Sequence, residues 1–155
     1  MYAKGTGVKK DSGKAVALYQ KACDAVTDFL QFAESCVLLG VMYARGDGVT
    51  QDSGKAVALY QKACDGKNAE GCSKLGVMYR KGDGVKKDSG KAAELFQIAC
   101  DRQFAGGCAN LGYRYEKGDG VTQDSAKAVE LFRKACDLKD EGGCQDYARL
   151  KTGKK

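Results

Sequence analysis

The eight cysteines have the most definite chemistry in this chain, and their spacing is regular. Three pairs enclose seven residues each and one pair encloses twelve: Cys64/Cys72, Cys100/Cys108, Cys136/Cys144 and Cys23/Cys36. Thiols in such a pattern form disulfides, bind zinc or stay reduced as small buried apolar groups. Zinc is the weakest of these readings, because the chain has no histidine and no Cys-x-x-Cys pair. Disulfides and buried free thiols both stay open.

The repeat in the sequence favours one disulfide pairing among the many that eight cysteines allow. The first cysteine of each pair lies in the last turn of one predicted helix, and the second lies in the first turn of the next. The two turns lie side by side across a short connection, so each pair would close a small local loop. Each closure is expected to stabilise the fold by about 2 to 3 kcal/mol. Disulfides form in oxidising compartments, so the pattern predicts a secreted or periplasmic protein.

Serine and lysine do not have the spacing of a hydrolase nucleophile and its base. The serines of the repeat motif stand in Ser-Gly-Lys or Ser-Ala-Lys, whereas serine β-lactamases use Ser-x-x-Lys, which puts the lysine one helical turn from the serine. Lys151-Thr152-Gly153 matches another of their motifs in letters only. The absence of histidine excludes imidazole-dependent triads. Asp83 and Asp88 do not have the spacing of a calcium-binding EF-hand. No catalytic residue, metal or cofactor is predicted, and whether the chain is an enzyme stays open.

The elements that position these residues are copies of one unit. Gly-x-Gly-Val begins at residues 5, 46, 82 and 118, and each copy is followed by an aspartate and later by Ala-Cys. The last two intervals between the Ala-Cys cysteines are both 36 residues, which is typical of a stacked repeat array. We predict an all-α fold, a right-handed α/α superhelix crosslinked by disulfides. It forms a single array of about four repeats over residues 1–150, followed by a disordered tail, 151–155.

Each copy predicts two helices, A and B. Cys72, Leu75, Gly76 and Tyr79 share one face of helix A, which ends at Gly82 because glycine adopts the left-handed conformation readily. Asp88 is the expected N-cap of helix B, and the stem of Lys91 is expected to pack rather than pair. The predicted helices A are 34–45, 70–81, 106–117 and 141–150, the last one a cap, and the predicted helices B are 11–24, 52–65, 88–101 and 124–137.

The first copy departs from the others in three ways. Met1-Tyr2 aligns with Met42-Tyr43, so the first helix A is missing, as in a piece of a longer exported precursor or a deliberately cut piece. The interval 24–35 is longer than its counterparts and carries Val26, Phe29, Leu30 and Phe32, which would extend a shielding helix or form a ligand loop. Residues 12–24 and 53–65 are identical, which indicates recent duplication or consensus design.

The pattern from Leu75-Gly76 through Tyr79, Gly82, Gly84-Val85 and Asp88 to Lys91-Ala92 resembles the Sel-like branch of tetratricopeptide-type repeats. With paired cysteines seven residues apart, the chain resembles the Helicobacter cysteine-rich protein family over residues 2–150. That resemblance implies a secreted, disulfide-bridged α/α superhelix. It also implies slow penicillin-binding or β-lactamase activity, with a penicillin-type or peptidoglycan-derived ligand.

Charge and periodicity point to a binding surface on the A helices. The net charge of +6 is consistent with a solvated surface, and no basic stripe interleaved with aromatic residues indicates nucleic-acid binding. No run of 18 apolar residues is present, so no membrane span is predicted. A concave row of apolar side chains flanked by cations would suit an extended acidic peptide. Core packing is the alternative for Val41, Val77 and both methionines. The predicted row comprises Leu38, Val41, Met42, Arg45, Lys74, Val77, Met78, Lys81, Asn110, Tyr113, Arg114 and Lys117.

Overall fold

The computed structural model describes residues 8–25 and 29–153, in which eight α-helices and no strands occur. Helices B and A alternate along the chain, starting with a helix B. The helices B are α1 (Val8–Asp24), α3 (Ser53–Asp65), α5 (Ser89–Asp101) and α7 (Ser125–Asp137). The helices A are α2 (Phe29–Arg45), α4 (Ala69–Lys81), α6 (Ala105–Lys117) and α8 (Glu141–Lys151).

The helices stack as a right-handed α/α superhelix, as predicted. Each helix packs against the helix before it and the helix after it. Each helix A also contacts the next helix A, from α2 through α4 and α6 to α8, whereas within the described ranges no helix B contacts another helix B. The A helices therefore form the tighter inner layer of the curve. This arrangement gives α4 and α6 neighbours on several sides at once.

Glycine at one position of α2, α4 and α6 allows the partner helix to approach closely. A Cβ built at Gly76 would lie 2.7 Å from a ring carbon of Phe96, and one built at Gly112 would lie 2.9 Å from Phe132. Both rings are fully buried. Because no larger residue would fit without movement of the ring, the glycine sets the distance between A and B within a repeat.

The predicted helix ends follow from the motif. Asp52, Asp88 and Asp124 are N-caps, and each carboxylate accepts a hydrogen bond from the backbone N–H three residues later. Gly82 and Gly118 end α4 and α6 in the left-handed conformation. The turns from B to A were not predicted: they place Lys67, Gln103 and Lys139 at positive φ. In each of these turns two backbone N–H groups donate hydrogen bonds to carbonyls of the preceding helix, as in a Schellman motif.

The first repeat and the C-terminal end differ from the prediction. Helix α1 begins at Val8, so Asp11 lies inside the helix and is not its N-cap. Helix α2 begins at Phe29 and not at residue 34, because residues of the longer interval continue the helix. Helix α8 includes Lys151, and Thr152 and Gly153 follow it as a turn. Met1-Tyr2, Val26, Lys154 and Lys155 lie outside the described residues.

None of the helices in the described part of the chain is both long enough and apolar enough to cross a membrane.

Candidate functional site

Four disulfides fix the stacking of the helices. Each joins the last turn of a helix B to the following helix A, with Cα–Cα distances of 4.4 to 4.8 Å. No cysteine of the described residues is free, which removes the zinc and free-thiol alternatives. The bridges are Cys23–Cys36, Cys64–Cys72, Cys100–Cys108 and Cys136–Cys144.

A leucine of each later helix B packs with the disulfide of the repeat before it. Leu95 of α5 lies in the same buried cluster as Cys64 and Cys72. Leu59 packs on the cluster that contains Cys23 and Cys36, and Leu131 packs on the one with Cys100 and Cys108. The crosslinks are thus part of the core between repeats, and they hold the A helices at fixed spacing.

The twelve predicted residues lie on α2, α4 and α6, and we refer to the surface they form as the A-helix face. Arg45, Lys81 and Lys117 are the last residues of these three helices, and all three are exposed. None of them forms an ion pair with another residue of the described ranges. These cations are available to a ligand, and their positions also complement the helix dipoles.

An apolar row runs beside these cations. Val41, Val77 and Tyr113 occupy equivalent positions on the three helices; the valines are half-buried and Tyr113 is 36% exposed. Leu38 adds a side chain that is 39% exposed. The row is accessible to a ligand, but a large part of each valine is occupied in packing between helices.

Three of the twelve residues do not belong to an accessible surface. Met42 and Met78 are each only 6% exposed, so core packing, the alternative reading, accounts for both methionines. The Arg114 side chain is 13% exposed and forms an ion pair with Asp119. Burial lowers the pKa of Arg114, and the neighbouring Asp119 carboxylate opposes this shift only in part.

Two further polar residues of the row have partners within their own helices. The Lys74 ammonium lies 3.4 Å from a Glu70 carboxylate oxygen, and the Asn110 amide donates to the Gly106 carbonyl at 2.9 Å. Both remain partly exposed at the surface. An exposed pair such as Lys74 and Glu70 is weak, so it would exchange readily for a ligand carboxylate.

A polar network between α6 and α8, which the sequence did not reveal, closes one end of the face. The Tyr113 hydroxyl donates to the Asp146 carboxylate. Arg149 donates to both oxygens of Glu116 at 2.9 and 3.0 Å and also to Asp146. The hydrogen bond to Asp146 and burial raise the pKa of Tyr113 to about 12. The position of Asp146 is occupied by Lys74 in α4 and by Asn110 in α6. This change of residue type in α8 was the only sign of the network in the sequence.

The lysine of the repeat motif lies against a tyrosine ring in three repeats. The Nζ atoms of the motif lysines lie over tyrosine rings of the same repeat. For Lys91, whose stem was expected to pack rather than pair, the contact is made by the ammonium of an exposed side chain. The distances to the ring centres are 5.0 Å for Lys55 over Tyr43, 4.6 Å for Lys91 over Tyr79 and 5.1 Å for Lys127 over Tyr115. These contacts hold each helix B against the helix A of its repeat.

The C-terminal Lys-Thr-Gly stretch is the end of a helix. Lys151 is the last residue of α8, and the Thr152 hydroxyl donates to the Ala148 carbonyl at 2.8 Å. No strand or enclosed pocket stands beside it in the described residues. No group of three histidine, cysteine, aspartate or glutamate side chains that could hold a metal occurs there either.

Two open grooves lie on the side of the B helices. The first has a volume of about 440 Å³ and lies along α7, and the second, of about 460 Å³, lies along α5 and the turn before α7. Gln97 and Tyr115 belong to the walls of both. The first has both signs of charge along its rim, including Lys127, Glu130 and Asp137.

Comparison with known proteins agrees with the repeat architecture. The Sel1 repeat family matches residues 1–25, 33–68, 69–104 and 105–140. A search of curated proteins finds no match.

Three solved structures are similar to this one. Cysteine-rich protein B of Helicobacter pylori is 37% identical with a TM-score of 0.69, over 91% of this chain and 97% of that one. A Sel1 repeat protein from Oxalobacter formigenes is 31% identical with a TM-score of 0.80, over 92% of this chain and 56% of that one. A protective antigen of uropathogenic Escherichia coli strains, with an SLR fold, is 29% identical with a TM-score of 0.71, over 88% of this chain and 32% of that one. The chain thus spans about a third of the Escherichia coli antigen and just over half of the Oxalobacter protein.

Proposed function

The chain belongs to the Sel1 repeat family, in its cysteine-rich Helicobacter branch, and on this premise we propose that it is a protein-interaction module. It holds an extended acidic peptide on the A-helix face and works in an oxidising compartment, secreted or periplasmic. The four disulfides are the basis for the compartment, because disulfides persist where thiols are not kept reduced.

The observation that carries this proposal is the row of unpaired cations on successive A helices. Arg45, Lys81 and Lys117 stand at equivalent positions, exposed, beside the apolar row of Val41, Val77 and Tyr113. An extended peptide that crosses the A helices would meet one cation and one apolar side chain per repeat. Carboxylates on such a peptide would pair with the cations, and its apolar side chains would cover the row.

The rigidity of the array supports this function. A surface whose spacing is set by crosslinks loses little conformational freedom when a ligand binds, so more of the contact energy appears as affinity. The Tyr113–Asp146 and Arg149–Glu116 contacts already occupy the step from α6 to α8. The peptide would therefore lie across α2, α4 and α6.

The test is selection from a displayed random peptide library against the oxidised protein. The proposal expects enrichment of peptides that alternate Asp or Glu with apolar residues, and affinity that falls with increasing salt. Replacing Arg45, Lys81 and Lys117 together by glutamine should weaken a selected peptide at least tenfold. The melting temperature should fall only modestly, by the loss of the favourable charge at three helix C-termini, and the variant should remain folded at the temperature of the binding assay.

The matched control replaces Lys14, Lys86 and Lys139 by glutamine. These lysines are exposed and lie outside the A helices, and their replacement lowers the net charge by the same amount. Equal loss in both triple variants would mean that overall charge, and not this face, attracts the peptide.

A parallel incubation with a labelled penicillin separates binding from catalysis. A saturable rate of hydrolysis, with a covalent adduct that one substitution abolishes, would replace the interaction module by an enzyme. Background hydrolysis with no adduct is the result expected of the module.

A further inference from the structure

The Cys64–Cys72 disulfide differs from the others by a guanidinium group. Arg102, at the end of α5, donates from one Nη1 to the Cys64 carbonyl and to the Cys72 Sγ, both at 3.2 Å. Arg102 follows Cys72 by 30 residues in the same repeat, and Cys64 belongs to the repeat before. The bond to the carbonyl holds the cation against the sulfur.

The position of Arg102 is occupied by other residue types in the other repeats. Leu138 stands at the equivalent position one repeat later, and it packs against the cluster that contains Cys100 and Cys108. Both disulfides close loops of the same sequence separation, 8, with the same Cα–Cα distance, 4.5 Å. Cys100–Cys108 is therefore a matched counterpart of Cys64–Cys72, with a leucine in place of the arginine at the equivalent position.

A cation beside a sulfur atom changes the chemistry of thiol–disulfide exchange. The thiolate that leaves when a disulfide is attacked carries a full negative charge, and a neighbouring guanidinium stabilises it and lowers the pKa of its thiol. A leaving thiol of lower pKa departs faster. An external thiolate is expected to attack Cys64, because Cys64 is 6% exposed and Cys72 is fully buried. Attack at Cys64 makes Cys72, the sulfur beside Arg102, the leaving group.

We propose that Cys64–Cys72 is a redox-sensitive joint of the array, which an external dithiol reduces in preference to Cys100–Cys108. A thiolate of the dithiol attacks the Cys64 Sγ and forms a mixed disulfide, the bond between Cys64 and Cys72 breaks, and the Cys72 thiolate leaves beside Arg102. The second thiol of the reagent then attacks the mixed disulfide and releases Cys64. The dithiol gives up two electrons and becomes a disulfide, while the two cysteines each take up a proton.

Opening this bridge releases the middle of the array. It joins α3 to α4, and Leu95 of α5 packs in the cluster around it. Reduction here would loosen the junction between the second and third repeats, across which the A-helix face extends. The bridges on either side would still hold their own helix pairs.

The test uses the complete oxidised chain and a limiting amount of dithiothreitol. Samples are trapped at intervals with an alkylating reagent, and peptide mass spectrometry gives the rate of reduction of each pair. We expect Cys64–Cys72 to be reduced about threefold faster than Cys100–Cys108. Cys136–Cys144 is set aside in this comparison, because both of its cysteines are partly exposed.

Two reciprocal variants separate the charge from the small difference in exposure. Arg102→Leu should remove the preference, and Arg102→Lys should retain part of it. Leu138→Arg should raise the rate at Cys100–Cys108 and leave that at Cys64–Cys72 unchanged. The proposal would be overturned if Cys64–Cys72 were reduced at the same rate in wild type and Arg102→Leu, or faster in Arg102→Leu. Arg102 would then have no effect on the reduction of this bridge or would protect it.

Discussion

The Tyr113 hydroxyl of α6 donates a hydrogen bond to the Asp146 carboxylate of α8, across the step between two repeats. Arg149 bonds the same carboxylate and also Glu116 of α6. These contacts join α8 to α6 through polar side chains. The position of Tyr113 is occupied by Val41 in α2 and by Val77 in α4, which cannot form such hydrogen bonds. The network therefore fixes α8 against α6.

Replacing Asp146 by alanine should lower the pKa of Tyr113 from about 12 towards the ordinary value of 10, because the hydrogen bond to Asp146 is the main cause of the rise. The measurement is tyrosinate absorbance as a function of pH, with Tyr113→Phe to assign the transition. A titration curve unchanged by Asp146→Ala would mean that this hydrogen bond is absent in solution.

Stability should fall as the pH rises from about 10 to about 12. The folded state holds the protons of Tyr60 and Tyr113 more tightly than the unfolded state, since both pKa values are raised to about 12. Their contribution is complete below pH 10 and is lost through this window. Urea unfolding at several pH values should show a shallower loss in Tyr113→Phe than in wild type, because only the buried Tyr60 remains.

Gly76→Ala should destabilise the fold by about 1 to 3 kcal/mol, because the added methyl group would meet the Phe96 ring at 2.7 Å. Gly13→Ala is the matched control. Gly13 is also helical, nothing lies within 4 Å of a Cβ built there, and alanine should stabilise it slightly. Denaturant unfolding measures both, and a neutral effect at Gly76 would show that the ring moves aside at little cost.

Asp88→Ala should cost about 1 kcal/mol, since its carboxylate caps α5 by accepting from the Lys91 N–H. Asp11→Ala should cost less, because Asp11 has the same place in the motif but lies inside α1. The two variants are compared by thermal and urea unfolding. Equal losses would indicate that α1 begins at Asp11 in solution.

The regular part of the fold was predictable because each step of the motif has one structural meaning. A glycine at the end of an apolar stripe ends helix A, and an aspartate before the next stripe caps helix B, as Gly82 and Asp88 do. The start of α2 at Phe29 agrees with the helix-extending alternative for the 24–35 interval, but the repeat alone did not give this boundary. No other copy has an insertion there, so no counterpart indicated whether its apolar residues continue a helix.

The accessible part of the A-helix face was harder to predict, for a physical reason. An inner helix such as α4 packs against α3 and α5 and also against α2 and α6, so its buried stripe is wider than that of a helix with one partner. Periodicity placed Met78 at the edge of the stripe, where the neighbouring helices cover it. The α6–α8 network joins residues 33 apart, and no local pattern reports such pairs.

The short reach of the disulfides has a consequence for biosynthesis. Cys64 meets its partner Cys72 only eight residues later, whereas the previous cysteine, Cys36, lies 28 residues away. Closing a short loop costs less entropy than closing a long one, so the native partner is also the one that chain statistics favour. Oxidation can thus proceed one bridge at a time as a nascent chain emerges, and each new repeat is added to a segment whose crosslinks are already correct.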